Sequence, residues 1–151
     1  MTDILYLEDF VVGLKFGSAM KLVDEDEVRV FAETFDPQPF HLDHEAAAKS
    51  VFGRLAASGW HTAAMTMRLF VDSECRIAGG IVGTGFDEFR WMQPVYPGDT
   101  LRLASEVVEV RPSRSQPKQG LVKVRIMTLN QRMEPVQILL ANLVVPRRPR
   151  T

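Results

Sequence analysis

The chain has 151 residues, 46% of them hydrophobic and 25% charged, which suits one domain with a buried core and leaves no room for a second. Lys and Arg total 18 against 19 Asp and Glu, so the formal charge is -1, and the strong positive field of nucleic-acid binders and of proteins held on anionic membranes is excluded. The expected partner is a small molecule. A single cysteine, Cys75, cannot form an internal disulfide. The start MTDILYLEDFVVG carries acids where a signal peptide needs basic residues and then an apolar run. No stretch approaches the ~18 unbroken apolar residues of a membrane span, because Arg68, Asp72 and Glu74 interrupt the best candidate. A soluble, cytoplasmic protein is expected.

An edge strand near KFGSAMKLV comes first, followed by a helix from Asp24 to about Thr34. Asp24 and Glu27 have capping-box spacing, and Val28, Phe31, Ala32 and Phe35 recur at helical intervals. Pro37 biases Asp36 away from the α region, so this helix should deliver the chain directly into the loop FDPQPFHLD. Asp43 can cap a short helix through HEAAAKS, ended by the glycine of VFGR. From Gly59 to about Arg76, Trp60, Ala63, Ala64, Met67, Phe70 and Val71 form an apolar stripe, which predicts a nearly wholly buried helix capped by Ser58.

GIVGTGFDEFRWM, TLRLASEVVEVR, GLVKVRIMTLN and PVQILLANLVV are rich in Val, Ile, Leu and Thr and are separated by turn signals, so four strands are predicted. QPVYPGD and RPSRSQPKQG are read as connecting turns and QRME as a hairpin, giving an antiparallel meander. Helices early and strands late argue an α+β fold, with one long helix packed on a sheet of about five antiparallel strands. The basic tail PRRPRT is expected to fray.

Asp36 and His41 are the candidate catalytic pair, because prolines at 37 and 39 fix φ and restrict the loop between them. The bland alternative is an Asp-Pro turn followed by an ordinary loop histidine. DPQPFH resembles the signature of the MaoC-like dehydratases, also called R-specific enoyl-CoA hydratases, whose core reads Gly-Asp-x-Asn-Pro-x-His. Asp36, Pro39 and His41 match it, and the resemblance runs through HLDHEAAAKSVFGRLAASGWHTAAM to FRWMQPVYPGDTL. Phe35 stands where that family often has Gly and Gln38 where it often has Asn, departures that bear on pocket shape and substrate choice.

The resemblance implies a single hot-dog domain, a long central helix wrapped by an antiparallel sheet, paired into a homodimer or a higher homo-oligomer. It implies an enoyl-CoA substrate hydrated to the 3-hydroxyacyl thioester. Asp36 and His41 would hold and activate one water, and Gly59 would donate a backbone N–H to the oxyanion. Such a step needs a base, an acid for the α-carbon and a donor for the enolate oxygen. Gly59 opens the buried helix, where free N–H groups and the dipole favour negative charge. Gln38, Phe40, Ser58 and Trp60 flank these positions as candidates for substrate binding. An acyl-CoA thioesterase of the same fold and a non-catalytic acyl-thioester-binding subunit are the alternatives.

Other constellations carry less. HLDH, with His41, Asp43 and His44, has no cysteine and no third nearby histidine for a metal, and His44 is expected at the surface. Ser58 and His61 sit together in a first helical turn, where capping explains Ser58 better than nucleophilic chemistry. His61 either lines the pocket or faces the sheet edge. Gly83 and Gly85 lack the third glycine of a dinucleotide site and point to a strand kink. No nucleotide, metal or redox cofactor is implied. Trp60 and Trp91 are read as core before pocket.

Overall fold

Asp24 caps the first long helix as its spacing predicts, its carboxylate accepting from the Glu27 N–H at 3.0 Å. The computed structural model describes residues 3–150, with Met1, Thr2 and Thr151, the ends of the acidic start and of the basic tail, lying outside them. Two short edge strands, β1 (Lys15–Phe16) and β2 (Lys21–Leu22), precede this helix, α1 (Glu25–Phe35). Two single-turn helices follow, α2 (Pro39–Leu42) and α3 (His44–Ala48), the latter capped by Asp43 through the Ala46 N–H at 2.8 Å. The long helix α4 spans Gly59–Val71 with Ser58 as its N-cap. It ends earlier than expected because the Ser73 hydroxyl donates to the Phe70 carbonyl at 2.6 Å and turns the chain out of the helix.

The strands β3 (Val82–Trp91), β4 (Thr100–Pro112), β5 (Gln119–Leu129) and β6 (Pro135–Pro146) stand close to their predicted bounds. Their order corrects the simple meander. The sheet runs β1-β4-β5-β6-β3, with β2 also paired to β4, so β3 lies beside β6 and far from its successor in sequence. The segment Met92–Asp99 is therefore a crossover. It passes beneath the start of α4, where the Val95 carbonyl accepts from the Ala57 N–H at 2.8 Å. β4, whose edge β3 would otherwise occupy, pairs instead with β1 and β2. The GTG segment breaks the β3–β6 register between Gly83 and Gly85, and Gly85 takes φ 137°, a region closed to most side chains.

Inward residues of β4, β5 and β6 alternate along the strands: Leu101, Leu103 and Val107, then Val122, Val124 and Ile126, then Leu139, Ala141 and Leu143 are all buried. They close on Met65, Leu69 and Phe70 of α4, the hot-dog arrangement of a sheet wrapped around one helix. Each fully buried side chain of this kind stabilises by ~1.5–3 kcal/mol relative to exposure. Cys75 is buried with them, and burial pushes its thiol up to about 12.

The fully buried face of α4 shares only Phe70 with the predicted stripe. His61, Thr62, Met65, Thr66, Leu69 and Phe70 are buried, whereas Trp60, Met67 and Val71 are exposed by 59%, 46% and 48%. Hydropathy alone mispoints the helix because threonines enter the core fully partnered. Thr66 Oγ1 lies 2.6 Å from Thr128 Oγ1 and accepts from Gln137 Nε2 at 2.9 Å. The apolar stripe instead continues onto β3, where Val82 and Phe86 are also exposed. The basic tail is likewise held more firmly than expected, since Arg148 pairs with both carboxylate oxygens of Asp9, at 2.9 and 2.7 Å. No helix among the described residues is long and apolar enough to cross a membrane.

Candidate active site

The segment between Asp36 and His41 is tighter than a stiffened loop. Asp36 ends α1, its N–H donating to the Ala32 carbonyl at 2.9 Å, and Gln38 N–H donates back to the Asp36 carbonyl at 2.7 Å. Pro39 then occupies the first position of α2, where its missing N–H costs nothing and its fixed φ suits the helix. One helical turn later, His41 Nε2 stands 3.4 Å from Asp36 Oδ2. The side chains are 5% and 18% exposed, so the pair is withdrawn from bulk water.

The histidine's tautomer follows from its other neighbour. Nδ1 lies 2.7 Å from the Ala56 carbonyl, which can only accept, so Nδ1 carries a hydrogen and Nε2 of the neutral ring presents a lone pair toward Asp36. Phe40 meets the His41 ring edge-on at 4.7 Å, and Phe52 lies 6.0 Å from it.

Two donors hold Asp36. Ser58 Oγ donates to Oδ2 at 2.7 Å and Gln38 Nε2 donates to Oδ1 at 2.6 Å. Burial pushes the carboxyl toward the neutral form, but the hydrogen bonds from Ser58 and Gln38, joined by the charge His41 carries when protonated, outweigh it, leaving Asp36 below the ordinary carboxylate value. With the ring neutral, a carboxylate oxygen and an imidazole lone pair face one another as two acceptors. One water donating a hydrogen to each satisfies both and keeps its own lone pairs for a third partner.

Gly59 borders the same space. As the first residue of α4 its N–H has no acceptor among the described residues, and the helix dipole adds positive character there. The absence of a side chain has a steric cause, since a Cβ at this position would stand 2.5 Å from Cε2 of Trp91. A cavity of about 450 Å³ joins these groups, a size that suits a small ligand. Asp36, Gln38, Phe40, His41, Gly59 and Trp60 line it, while Ser58 stands behind the wall and acts through Asp36.

The remaining sites resolve as follows. Phe35 is 72% exposed and packs on Phe31 at 5.2 Å, outside this cavity, so the bulk it adds leaves the pocket unchanged. His61 turns away from Asp36 and stacks on Phe31 at 4.8 Å, and burial holds it below the ordinary histidine value. His44 is exposed and pairs with Glu25 at 2.8 Å. The two tryptophans are pocket residues and not core, Trp60 being 59% and Trp91 47% exposed. Sequence reading missed Phe52 and Met92–Val95. Of the latter, Gln93, Pro94 and Val95 lie in the turn segment QPVYPGD, whose length for a strand connection was the available signal, and Met92 closes the predicted strand before it.

Comparison with known proteins agrees with this fold. Residues 12–129 match the family model described as MaoC like domain, and the chain belongs to the MaoC-like dehydratase family. The crystal structure of a MaoC-like dehydratase from Rhodospirillum rubrum superposes with a TM-score of 0.93 at 51% identity, covering 97% of this chain and 99% of that one. An uncharacterized Bacillus subtilis protein, YdeM, is 33% identical over 126 residues, 83% of this chain and 88% of its own. The 3-hydroxybutyryl-CoA dehydratase of Methylorubrum extorquens is 32% identical over 112 residues, 74% of this chain and 69% of its own.

Proposed function

We propose that this protein is a hydro-lyase that reversibly hydrates an α,β-unsaturated acyl thioester, an enoyl-CoA, to the 3-hydroxyacyl thioester. The observation that carries the reading is the facing pair of acceptors, Asp36 Oδ2 and His41 Nε2, 3.4 Å apart at the wall of the cavity. The water they hold adds through its oxygen to the β-carbon, and the pair accepts its proton. The π electrons move toward the thioester carbonyl, whose oxygen develops charge against the Gly59 N–H, a donor worth ~3–4 kcal/mol in sites of this kind. A proton passes from the pair to the α-carbon as the carbonyl re-forms, so one water is added and the pair is restored. Gln38 and Ser58 keep Asp36 ionised and aimed, and Phe40 and Trp60 pack against the acyl part. No metal or redox cofactor takes part in this sequence.

Support for an enzyme of this class comes from the family and from the dehydratase relative above. The test is a turnover screen with trans-2-enoyl-CoA and saturated acyl-CoA thioesters. Hydration with retention of the thioester bond is expected. Release of free thiol from saturated substrates would instead make the protein a thioesterase, and binding without turnover would make it an acyl-binding subunit.

We also infer that the working unit is a homodimer. β3 has one paired edge, against β6, and its outer edge is free among the described residues. Val82 and Phe86, both on this strand, leave apolar side chains exposed beside it. An exposed strand edge of this kind is a template for a second strand. Light scattering should give twice the chain mass of 17.0 kDa, and a monomer at micromolar concentration would contradict the inference.

A further inference from the structure

Behind Gly59 lies a second cavity of about 230 Å³, lined by apolar residues of α4, β3, β5 and β6, among them Ala63, Met67, Phe86, Phe89 and Leu143. It does not share a lining residue with the reactive cavity. Between the two stands the indole of Trp91. Its ring fills the space a Gly59 side chain would take, with Cε2 and Cζ2 at 2.5 and 2.6 Å from that Cβ position. The ring is also wedged between two aromatic neighbours, Trp60 edge-on at 5.2 Å and Phe89 at 5.1 Å. Trp60 lines the first cavity and Phe89 the second, so these three rings form the partition.

The partition is fixed by polar contacts. Trp91 Nε1 donates to Gln137 Oε1 at 2.9 Å, and the fully buried Gln137 donates through Nε2 to Thr66 Oγ1 at 2.9 Å. Thr66 belongs to α4 and lines the second cavity, so the chain of bonds ties the indole across from the sheet to the central helix. Swinging the ring aside would leave the buried Gln137 Oε1 without its donor, and such a group is costly to leave unpaired.

We propose that Trp91 sets the acyl chain length this protein accepts: with the indole in place the acyl group is confined to the reactive cavity and is short, and without it the chain runs on into the apolar cavity behind. The proposal rests on the reading of the ligand as an acyl thioester. The chemistry of the second cavity supports an alkyl occupant, since its walls are hydrocarbon apart from Thr66, whose hydroxyl is already partnered. Each methylene that moves from water into such walls tightens binding about fourfold.

The experiment is calorimetric titration with S-butyl-, S-octyl- and S-dodecyl-coenzyme A, thioethers that can be neither hydrated nor hydrolysed. The wild-type protein should bind the butyl compound at least tenfold more tightly than the octyl compound. In Trp91→Ala the order should reverse, with octyl favoured at least tenfold. Trp91→Leu, which keeps an apolar side chain in the core of the partition, should move the preference in the same direction by less. Tight binding of the dodecyl compound by the wild type, or a preference unchanged in both variants, would overturn the proposal. Because none of these ligands reacts, a protein that fails to hydrate crotonyl-CoA still yields the length order, and the two readings fail separately.

Discussion

Ser58 Oγ sits 2.7 Å from Asp36 Oδ2 while accepting from the Trp60 N–H at 3.2 Å, so one hydroxyl both starts the central helix and clamps the Asp36 carboxylate. The next residue, Gly59, holds the free N–H. The Asp36 carboxylate and the Gly59 N–H are thereby referenced to the same helix end. That rigidity is what a site needs when misplacement by an ångström is expensive.

Ser58→Ala should therefore have two separable effects. Loss of the cap costs ~0.5–2 kcal/mol of stability, read by denaturant unfolding. Loss of a hydrogen bond to a charged group, worth ~1.5–3 kcal/mol, lowers turnover roughly 10- to 100-fold. The Ser58 bond favours the ionised form of Asp36, so removing it raises the carboxyl's pKa. The acid limb of the pH-rate profile should then move to higher pH, an outcome a merely structural role for Ser58 does not predict.

Gly59→Ala places a methyl group against the Trp91 ring, with three ring atoms inside 3.0 Å of the new carbon. Overpacking of this kind costs ~1–3 kcal/mol. Combining it with Trp91→Leu should recover part of the loss, so the double mutant is less destabilised than the sum of the singles. A strictly additive cycle in urea would show that the indole is not what forbids a side chain here.

His61 makes stability depend on pH. It is 7% exposed, stacked on Phe31, and its Nδ1 has no partner among the described residues. Burial disfavours the charged ring, Glu27 opposes that effect and Lys21 reinforces it, and the net shift is downward. A histidine depressed in the folded state contributes nothing adverse above its unfolded value of about 6.5 and loses stability as pH falls below it, where the unfolded chain binds the proton first. Unfolding free energy should drop between pH 7.5 and pH 5, and His61→Phe should flatten that part of the curve. An identical slope in the variant would assign the effect to other groups.

The meeting of Asp36 with His41 was legible because its signal is local. Asp36, Pro39 and His41 lie on one short segment whose prolines fix the backbone, and Ser58 and Gly59 announce a helix start in their own right. The four long strands were legible for the same reason, each being a run of β-branched residues between turns. What was not legible depends on distant partners. Thr62 and Thr66 look like surface residues until Ser58, Thr128 and Gln137 supply their hydrogen bonds, so the apolar stripe was assigned to the wrong face of α4. The place of β3 beside β6 is set by pairing across the sheet, and nothing in Val82–Trp91 encodes it. Trp91 was read as core because burial preference describes an average tryptophan, whereas this one is held at a cavity wall by Gln137.

The central claim is that Asp36 and His41 jointly activate one water. The most direct measurement is the rate of crotonyl-CoA hydration by Asp36→Asn, an isosteric change that keeps an acceptor for Ser58, alongside His41→Ala, with circular dichroism to verify the fold. General acid-base groups typically contribute 10²–10⁴-fold, so turnover should fall by at least two to three orders of magnitude in each folded variant. A wild-type rate in either one would contradict the account.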